Sequence, residues 1–213
     1  MGQKVNPISF RMGTTSTWQS RWFANGYKYR QFLAEDIQIR EILMRKLKPA
    51  GIARVEIERY LGKLKIMIYV ARPGVLIGRG GSGLTELKRF LKDELRIKDD
   101  NSLEVIPMDL KSPDLSAYLV AQNVSEQLIR RLPAQRVMNQ AVERVLRAGA
   151  KGVRVVLAGR IGGAEIARRE WKQSGSMPLH SLRSDIDFAS VPALTKSGYV
   201  GVQVWIHKGE AEI

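Results

Sequence analysis

Apolar positions along the chain recur with two periods, and the period changes at glycine and proline. Phe32, Ile39, Leu43 and Leu47 fall on one face of a 3.6-residue repeat that stops at Pro49-Ala50-Gly51, which predicts a helix. From Ile52 to Tyr60, Val55 and Ile57 alternate with Arg54, Glu56 and Glu58, as in a half-buried strand. Leu61-Gly62-Lys63 is short enough for a hairpin, so a second strand from Leu64 to Ala71 should run antiparallel. Arg72-Pro73-Gly74 leads to a short apolar turn, Val75 to Ile77, and then to a run of glycines. Leu84, Leu87, Leu91 and Leu95 share a face of the next helix, with Lys88, Arg89 and Lys92 elsewhere on it. Leu103 to Met108 reads as a third strand. The predicted order is helix, strand, strand, short helix, helix, strand.

Lys111-Ser112-Pro113-Asp114 is the best candidate boundary. It also reads as a helix start, with Ser112 as N-cap and Pro113 at the first helical position. That helix should run to Leu132, where Pro133 ends it; a second spans about Ala134 to Ala148 and stops at Gly149. Strands are predicted at Val153 to Leu157, at Leu182 to Phe188 and at Val200 to Ile206. In the second of these, Leu182, Ile186 and Phe188 share one face and Arg183, Asp185 and Asp187 the other. The expected organisation is α+β: an irregular basic arm over residues 1–26 with Trp18 and Trp22 as anchors, a domain over 27–110, and two helices on a small sheet over 111–213.

Charge narrows the function. The 213 residues carry a formal charge of +14, and 44% hydrophobic content rules out a disordered basic tail. Such self-repulsion points to a polyanionic partner, nucleic acid first and an anionic membrane surface second. Cysteine is absent, which removes disulfides, thiolate metal sites and thiol catalysis. No apolar run approaches the ~20 residues of a membrane helix, the start lacks the apolar core of a signal peptide, and Asn6 stands where myristoylation would want Ser or Thr. No acid precedes Glu35, whereas Lys4, Arg11, Arg21, Lys28 and Arg30 do. A transit peptide has that composition too, but Pro7 and the loop-like 12–17 stretch oppose an amphipathic helix, so the start reads as an arm on nucleic acid.

Gly78-Arg79-Gly80-Gly81-Ser82-Gly83 satisfies G-x-G-x-x-G, with Asp99, Asp100 and Glu104 near where a ribose-binding acid would stand. The context opposes a dinucleotide site, because its first glycine should directly follow a strand of a parallel βαβ unit. Leu84 excludes a Walker A loop. The remaining reading is a GxxG loop between two helices, the phosphate clamp of a type II KH domain, which holds single-stranded nucleic acid. Glycine lets a backbone approach closely, and Arg79 adds a cation. The expected RNA-binding residues are Lys4, Arg11 and Arg21 in the arm, then Arg72, Gly78, Arg79, Gly80, Gly81, Lys88 and Arg89.

The second half adds Arg130, Arg131, Arg136, Arg144, Arg147, Lys151, Arg154, Arg160, Arg168, Arg169 and Lys172, against only Glu143, Glu165 and Glu170 between Arg130 and Lys172. So lopsided a run, rich in Arg, suits phosphate contacts and stacking on unpaired bases. Leu157-Ala158-Gly159-Arg160-Ile161-Gly162-Gly163 echoes the clamp and reads as a second glycine-rich strand-to-helix turn. His180 and His207 are expected to pack or cap, and Asp185 and Asp187 to belong to a salt-bridged surface rather than a metal pair. No catalytic residue, metal or cofactor is expected.

The chain resembles the bacterial small-subunit ribosomal protein three family. The residues that carry the resemblance are Gly2 to Pro7, Ala71 to Gly78, Gly149-Ala150-Lys151-Gly152, Gly159 to Arg168 and Pro178 to Asp187. The resemblance implies a non-enzymatic constituent of the small-subunit head that binds ribosomal RNA and lies in the cytoplasm, with an organelle matrix as the alternative. It implies small-subunit proteins ten and fourteen as neighbours. It also implies a share, with proteins four and five, in the channel where messenger RNA enters and is unwound. The family's basic cluster lies early on the second long helix of the C-terminal domain, and of its three positions only Arg136 is basic here; Gln135 and Asn139 are neutral. That implies weaker unwinding, or unwinding carried by Arg130, Arg131 and Arg144. Pro133 stands where the family has larger residues, and almost no tail is expected beyond the last strand. A free KH-type RNA chaperone or regulator is the alternative reading.

Overall fold

The computed structural model describes residues 3–60, 62–95 and 103–210. Met1, Gly2, Leu61, Asp99, Asp100 and Ile213 lie outside the described residues. The chain forms two compact units, Trp18–Lys111 and a second that combines Met1–Thr17 with Ser112–Ile213.

In the first unit, α2 (Gly26–Lys46) is followed by β2 (Ile52–Tyr60), β3 (Lys63–Val70), α3 (Pro73–Ile77), α4 (Ser82–Leu95) and β4 (Leu103–Asp109). β3 runs antiparallel to β2 and parallel to β4. This is the type II KH order expected from the alternation. Val55, Ile57, Leu64, Ile66, Ile68, Leu103 and Val105 bury one sheet face against Ile39 and Leu43 of α2, Leu76 of α3, and Leu87 and Leu91 of α4. The other face carries mixed charge, with Arg54 pairing Glu56 at 3.1 Å and Lys65 pairing Glu58 at 3.3 Å.

The end of the expected arm is more ordered than its composition implies. β1 (Ser20–Arg21) adds to the sheet beside β2. The carboxylate of Asp36, 3% exposed on α2, accepts from Ser20 Oγ at 2.9 Å, Trp22 Nε1 at 2.8 Å and Arg59 Nη2 at 2.7 Å. A buried carboxylate needs such donors, so Asp36 fastens this segment to the sheet. Trp22 is an anchor, lying edge-on to Phe32, whereas Trp18 is 69% exposed.

In the second unit, α5 (Ala117–Ile129) and α6 (Ala134–Arg147) cover one face of a sheet of β5 (Gly152–Gly159), β6 (Arg168–Gly175), β7 (Ser184–Thr195) and β8 (Gly198–Glu210), in the order β6-β5-β8-β7 and antiparallel throughout. Val153, Val155 and Leu157 of β5 meet Val120, Val124, Val137 and Val145 of the helices.

Four expectations need correction here. β6 is a strand that the charge run Arg168-Arg169-Glu170-Trp171-Lys172 concealed, because its alternation sets tryptophan among charges rather than aliphatics. The turn at Ile161–Gly163 therefore joins two strands, not a strand and a helix. Ser112 does not cap α5: Pro113–Leu115 form a 3-10 turn, and the N–H of Ala117 is capped by Asp187 Oδ2 of β7 at 2.9 Å. β7 starts at Ser184 and runs on to Thr195, and a register shift between Asp185 and Ile186 breaks the alternation read across Leu182 to Phe188.

Candidate nucleic-acid interface

α3 and α4 meet at the glycine run, and each glycine there has its own reason. A Cβ on Gly83 would lie 2.6 Å from the Leu76 carbonyl, and one on Gly78 would lie 2.9 Å from the Gly83 nitrogen. These two glycines let the helices approach. Gly80 and Gly81 instead have positive φ, 61° and 81°, with nothing near a Cβ. They turn the backbone and leave an open surface, which is what a phosphodiester needs in order to reach the main chain. Ser82 Oγ donates to the Arg79 carbonyl at 3.0 Å, and Thr85 Oγ1 to that of Gly81 at 3.2 Å, fixing the loop. Arg79 is exposed beside it, as are Arg72 before α3 and Arg89 on α4; Lys88 is half-buried.

Among the arm cations, Lys4 is exposed and Arg21 pairs with Glu58 at 3.4 Å. Arg11 is spent inside the fold. It is 1% exposed at the end of α1 (Pro7–Phe10), in the second unit. Its guanidinium donates to the carbonyls of Ser184 at 2.7 Å, Ser181 at 2.8 Å, Pro7 and Leu179 at 3.1 Å and Pro178 at 3.2 Å. Burial lowers its pKa and the charge of Asp185 opposes that shift. The expectation that Arg11 meets RNA is therefore corrected: its planar fork ties the arm to the segment before β7 and leaves no donor directed outward.

The second unit gathers most of the remaining cations. Arg130 and Arg131 stand exposed at the turn from α5 to α6, and Arg136 on the first turn of α6. Arg131 has φ 63°, the one positive value outside glycine among the described residues. Its N–H donates to the Leu128 carbonyl at 2.9 Å and that of Leu132 to the Gln127 carbonyl at 3.2 Å, a Schellman close with arginine where glycine is usual. Gln135 and Asn139 are exposed and neutral on the same helix. Further along, Arg144 and Arg147 line an open cleft of about 410 Å³ with Asp114 and Glu143, and Arg147 approaches Glu143 at 3.5 Å.

On the sheet the cations divide by face. Arg168 pairs with Glu170 at 2.8 Å, while Lys172 and Lys151 are exposed. Arg160 is exposed but tethered, donating from Nε to the carbonyl of Ala164 at 2.8 Å and from Nη1 to that of Ser197 at 3.3 Å. Arg154 lies on the face away from the helices, its guanidinium carbon 5.5 Å from the Trp171 ring centre and 5.7 Å from that of Trp205, and Arg169 is exposed on β6. The aromatic partners of Arg154 were missed in the sequence; tryptophan inside the basic run of β6 was the available signal.

Of the groups weighed for catalysis, His207 and Asp187 are held within the fold, whereas His180 does not pack as expected. His207 is 4% exposed, with Nδ1 3.1 Å from the Ser176 carbonyl, and His180 is an exposed loop residue. Asp187 caps α5 and lies 4.0 Å from Lys208 Nζ. Among the described residues no three His, Cys, Asp or Glu side chains gather as a metal site would require, and no helix is long and apolar enough to cross a membrane.

Comparison with known proteins agrees with this architecture. Residues 38–115 match the KH domain family, and residues 124–206 match the family described as ribosomal protein S3, C-terminal domain. The small ribosomal subunit protein uS3 of Desulfatibacillum aliphaticivorans is 46% identical over 210 residues, covering 99% of this chain and 94% of that protein. The proteins of the same name from Dinoroseobacter shibae and Persephonella marina are 47% and 46% identical over 210 residues, covering 99% of this chain and 86% and 91% of theirs.

Proposed function

The chain belongs to the uS3 family of small ribosomal subunit proteins, and from that premise we propose that it is a non-enzymatic constituent of the small subunit that binds ribosomal RNA in the head and helps line the messenger entry channel. The proposal places it in the cytoplasm, within the ribosome, beside small-subunit proteins ten and fourteen, with proteins four and five across the channel.

The observation that carries the reading is the exposure of arginine without matching acid in the second unit. Arg130, Arg131, Arg136 and Arg169 all reach solvent. Each phosphate neutralised releases counterions, so several such contacts give tight, salt-dependent binding without any need for base readout. The open glycine loop of the KH unit adds a place for a single strand. Arg72, Arg79, Lys88 and Arg89 add charge to the KH unit, and Lys4, Arg144, Arg147, Lys151, Arg168 and Lys172 add charge to the second unit, while Arg11 is withdrawn from the interface. Arg154 offers a flat cation on an aromatic surface, and Arg160 contributes through its position in a turn rather than through a free tip.

Reconstitution tests the reading. Small subunits assembled without the endogenous protein should take up this chain, and Arg136→Ala should then slow passage through a messenger hairpin while uptake is unchanged. An uptake defect would move Arg136 from messenger to ribosomal RNA. Failure of the unaltered chain to enter the subunit would overturn the proposal.

A further inference from the structure

The sheet face of the second unit that lies away from the helices has a composition unlike the rest of the surface. Register places Arg169, Trp171 and Gln173 of β6 beside Ala158, Val156 and Arg154 of β5 respectively, and these beside Gly201, Gln203 and Trp205 of β8, so Arg169 and Arg154 flank Trp171 on its two sides along the strands. Phe188 of β7 lies 5.0 Å from Trp205, centroid to centroid. These strand positions carry two arginines and no acid. On this face Val156, Ile186 and Trp205 are themselves buried, with Met177, Leu179 and Phe188 packed against them, so the open part of the face is its β6 edge, at Arg169 and Trp171.

Two details distinguish it from an ordinary solvated patch. Trp171 leaves 60% of its surface exposed, in a unit whose remaining tryptophan, Trp205, is 9% exposed. Arg154 is held within 6 Å of both rings, yet its Nε is buried and finds no hydrogen-bond acceptor among the described residues. A guanidinium placed on aromatic faces keeps its plane parallel to the platform and its charge unneutralised. An exposed ring beside an unpaired planar cation is the composition that stacks a base and holds its phosphate.

We propose that this face is a stacking site for one unpaired nucleotide of single-stranded RNA, with the base on Trp171 and its phosphate between Arg154 and Arg169. The inference rests on the RNA-binding reading above and adds a second single-strand site, on a different unit from the glycine loop. A negatively charged occupant follows from two cations without an acid, and a planar one from the exposed indole.

The test uses the full chain and a short single-stranded oligoadenylate. Binding should quench tryptophan fluorescence, and irradiation should cross-link the RNA to the peptide that contains Trp171. Trp171→Ala should weaken binding about tenfold, and Trp171→Phe should restore most of that loss, because a phenyl ring still stacks. Trp171→Ala with unchanged affinity, in a chain where Arg79→Glu still weakens binding, would overturn the site and leave the RNA reading standing. No binding by the unaltered chain would overturn both. Unchanged oligoadenylate affinity together with lost entry into small subunits would give the face to a protein neighbour and overturn the proposal. If Trp171→Ala fails to fold, the cross-link decides: adducts elsewhere with none at Trp171 count against the site.

Discussion

Replacing Arg11 by methionine should destabilise the second unit and leave RNA binding intact. Methionine keeps the unbranched stem but removes the guanidinium, so five carbonyl oxygens lose a donor, of which those of Pro178 and Ser181 still accept from a backbone N–H. The bonds to Ser184 and Pro7 are buried, and those to Pro178, Leu179 and Ser181 are partly buried, so water can reach the latter three. Stranding a buried acceptor costs roughly 1–3 kcal/mol, so the two buried ones set a range of about 2–6 kcal/mol. The variant also escapes the cost of burying a cation, visible in the lowered Arg11 pKa, which moves the expected loss to about 3 kcal/mol. Hydrogen exchange reads it unit by unit: protection in α5 and β8 should fall about a hundredfold, while β2 and β3 keep theirs. The salt slope for RNA should not change, because Arg11 has no donor directed outward. A stability change under about 0.5 kcal/mol would refute the tether. So would a salt slope lowered by about 0.7, the share of one lost phosphate on a single strand.

Two further substitutions probe the exposed sites. Arg79→Glu should lower the log–log salt slope on single-stranded RNA by about 0.7, and filter binding over a salt series will show it; an unchanged slope removes the glycine loop from the contact surface. Arg131→Gly should raise stability by about 0.5 kcal/mol, since relief of the left-handed backbone outweighs the greater freedom of glycine in the unfolded chain. The same variant should bind RNA less tightly, so a urea midpoint that falls, or an affinity that holds, contradicts the reading of Arg131 as strain retained for contact.

The KH unit was legible in the sequence because its signals are local. Val55 and Ile57 alternate, Leu84, Leu87 and Leu91 recur at helical spacing, and glycines mark the turn between α3 and α4. The second unit was half legible. α6 announces itself between Pro133 and Gly149, but β6 does not, because an edge strand needs few aliphatic residues and this one takes charged ones on both faces. The cap on α5 was invisible for another reason: Asp187 is 70 residues from the N–H it caps. Arg11 shows the limit most sharply. In sequence it is one cation in an acid-free arm, indistinguishable from Lys4. Only the fold brings the carbonyls of residues 178 to 184 around it, and with them the difference between a phosphate contact and a buried tether.

Sedimentation tests the central claim most directly. A tagged copy of the chain, expressed in bacteria and run through a sucrose gradient at physiological salt, should travel with small ribosomal subunits and leave them only as salt is raised. A chain that stays at the top of the gradient, with small subunits present and intact, would contradict the account.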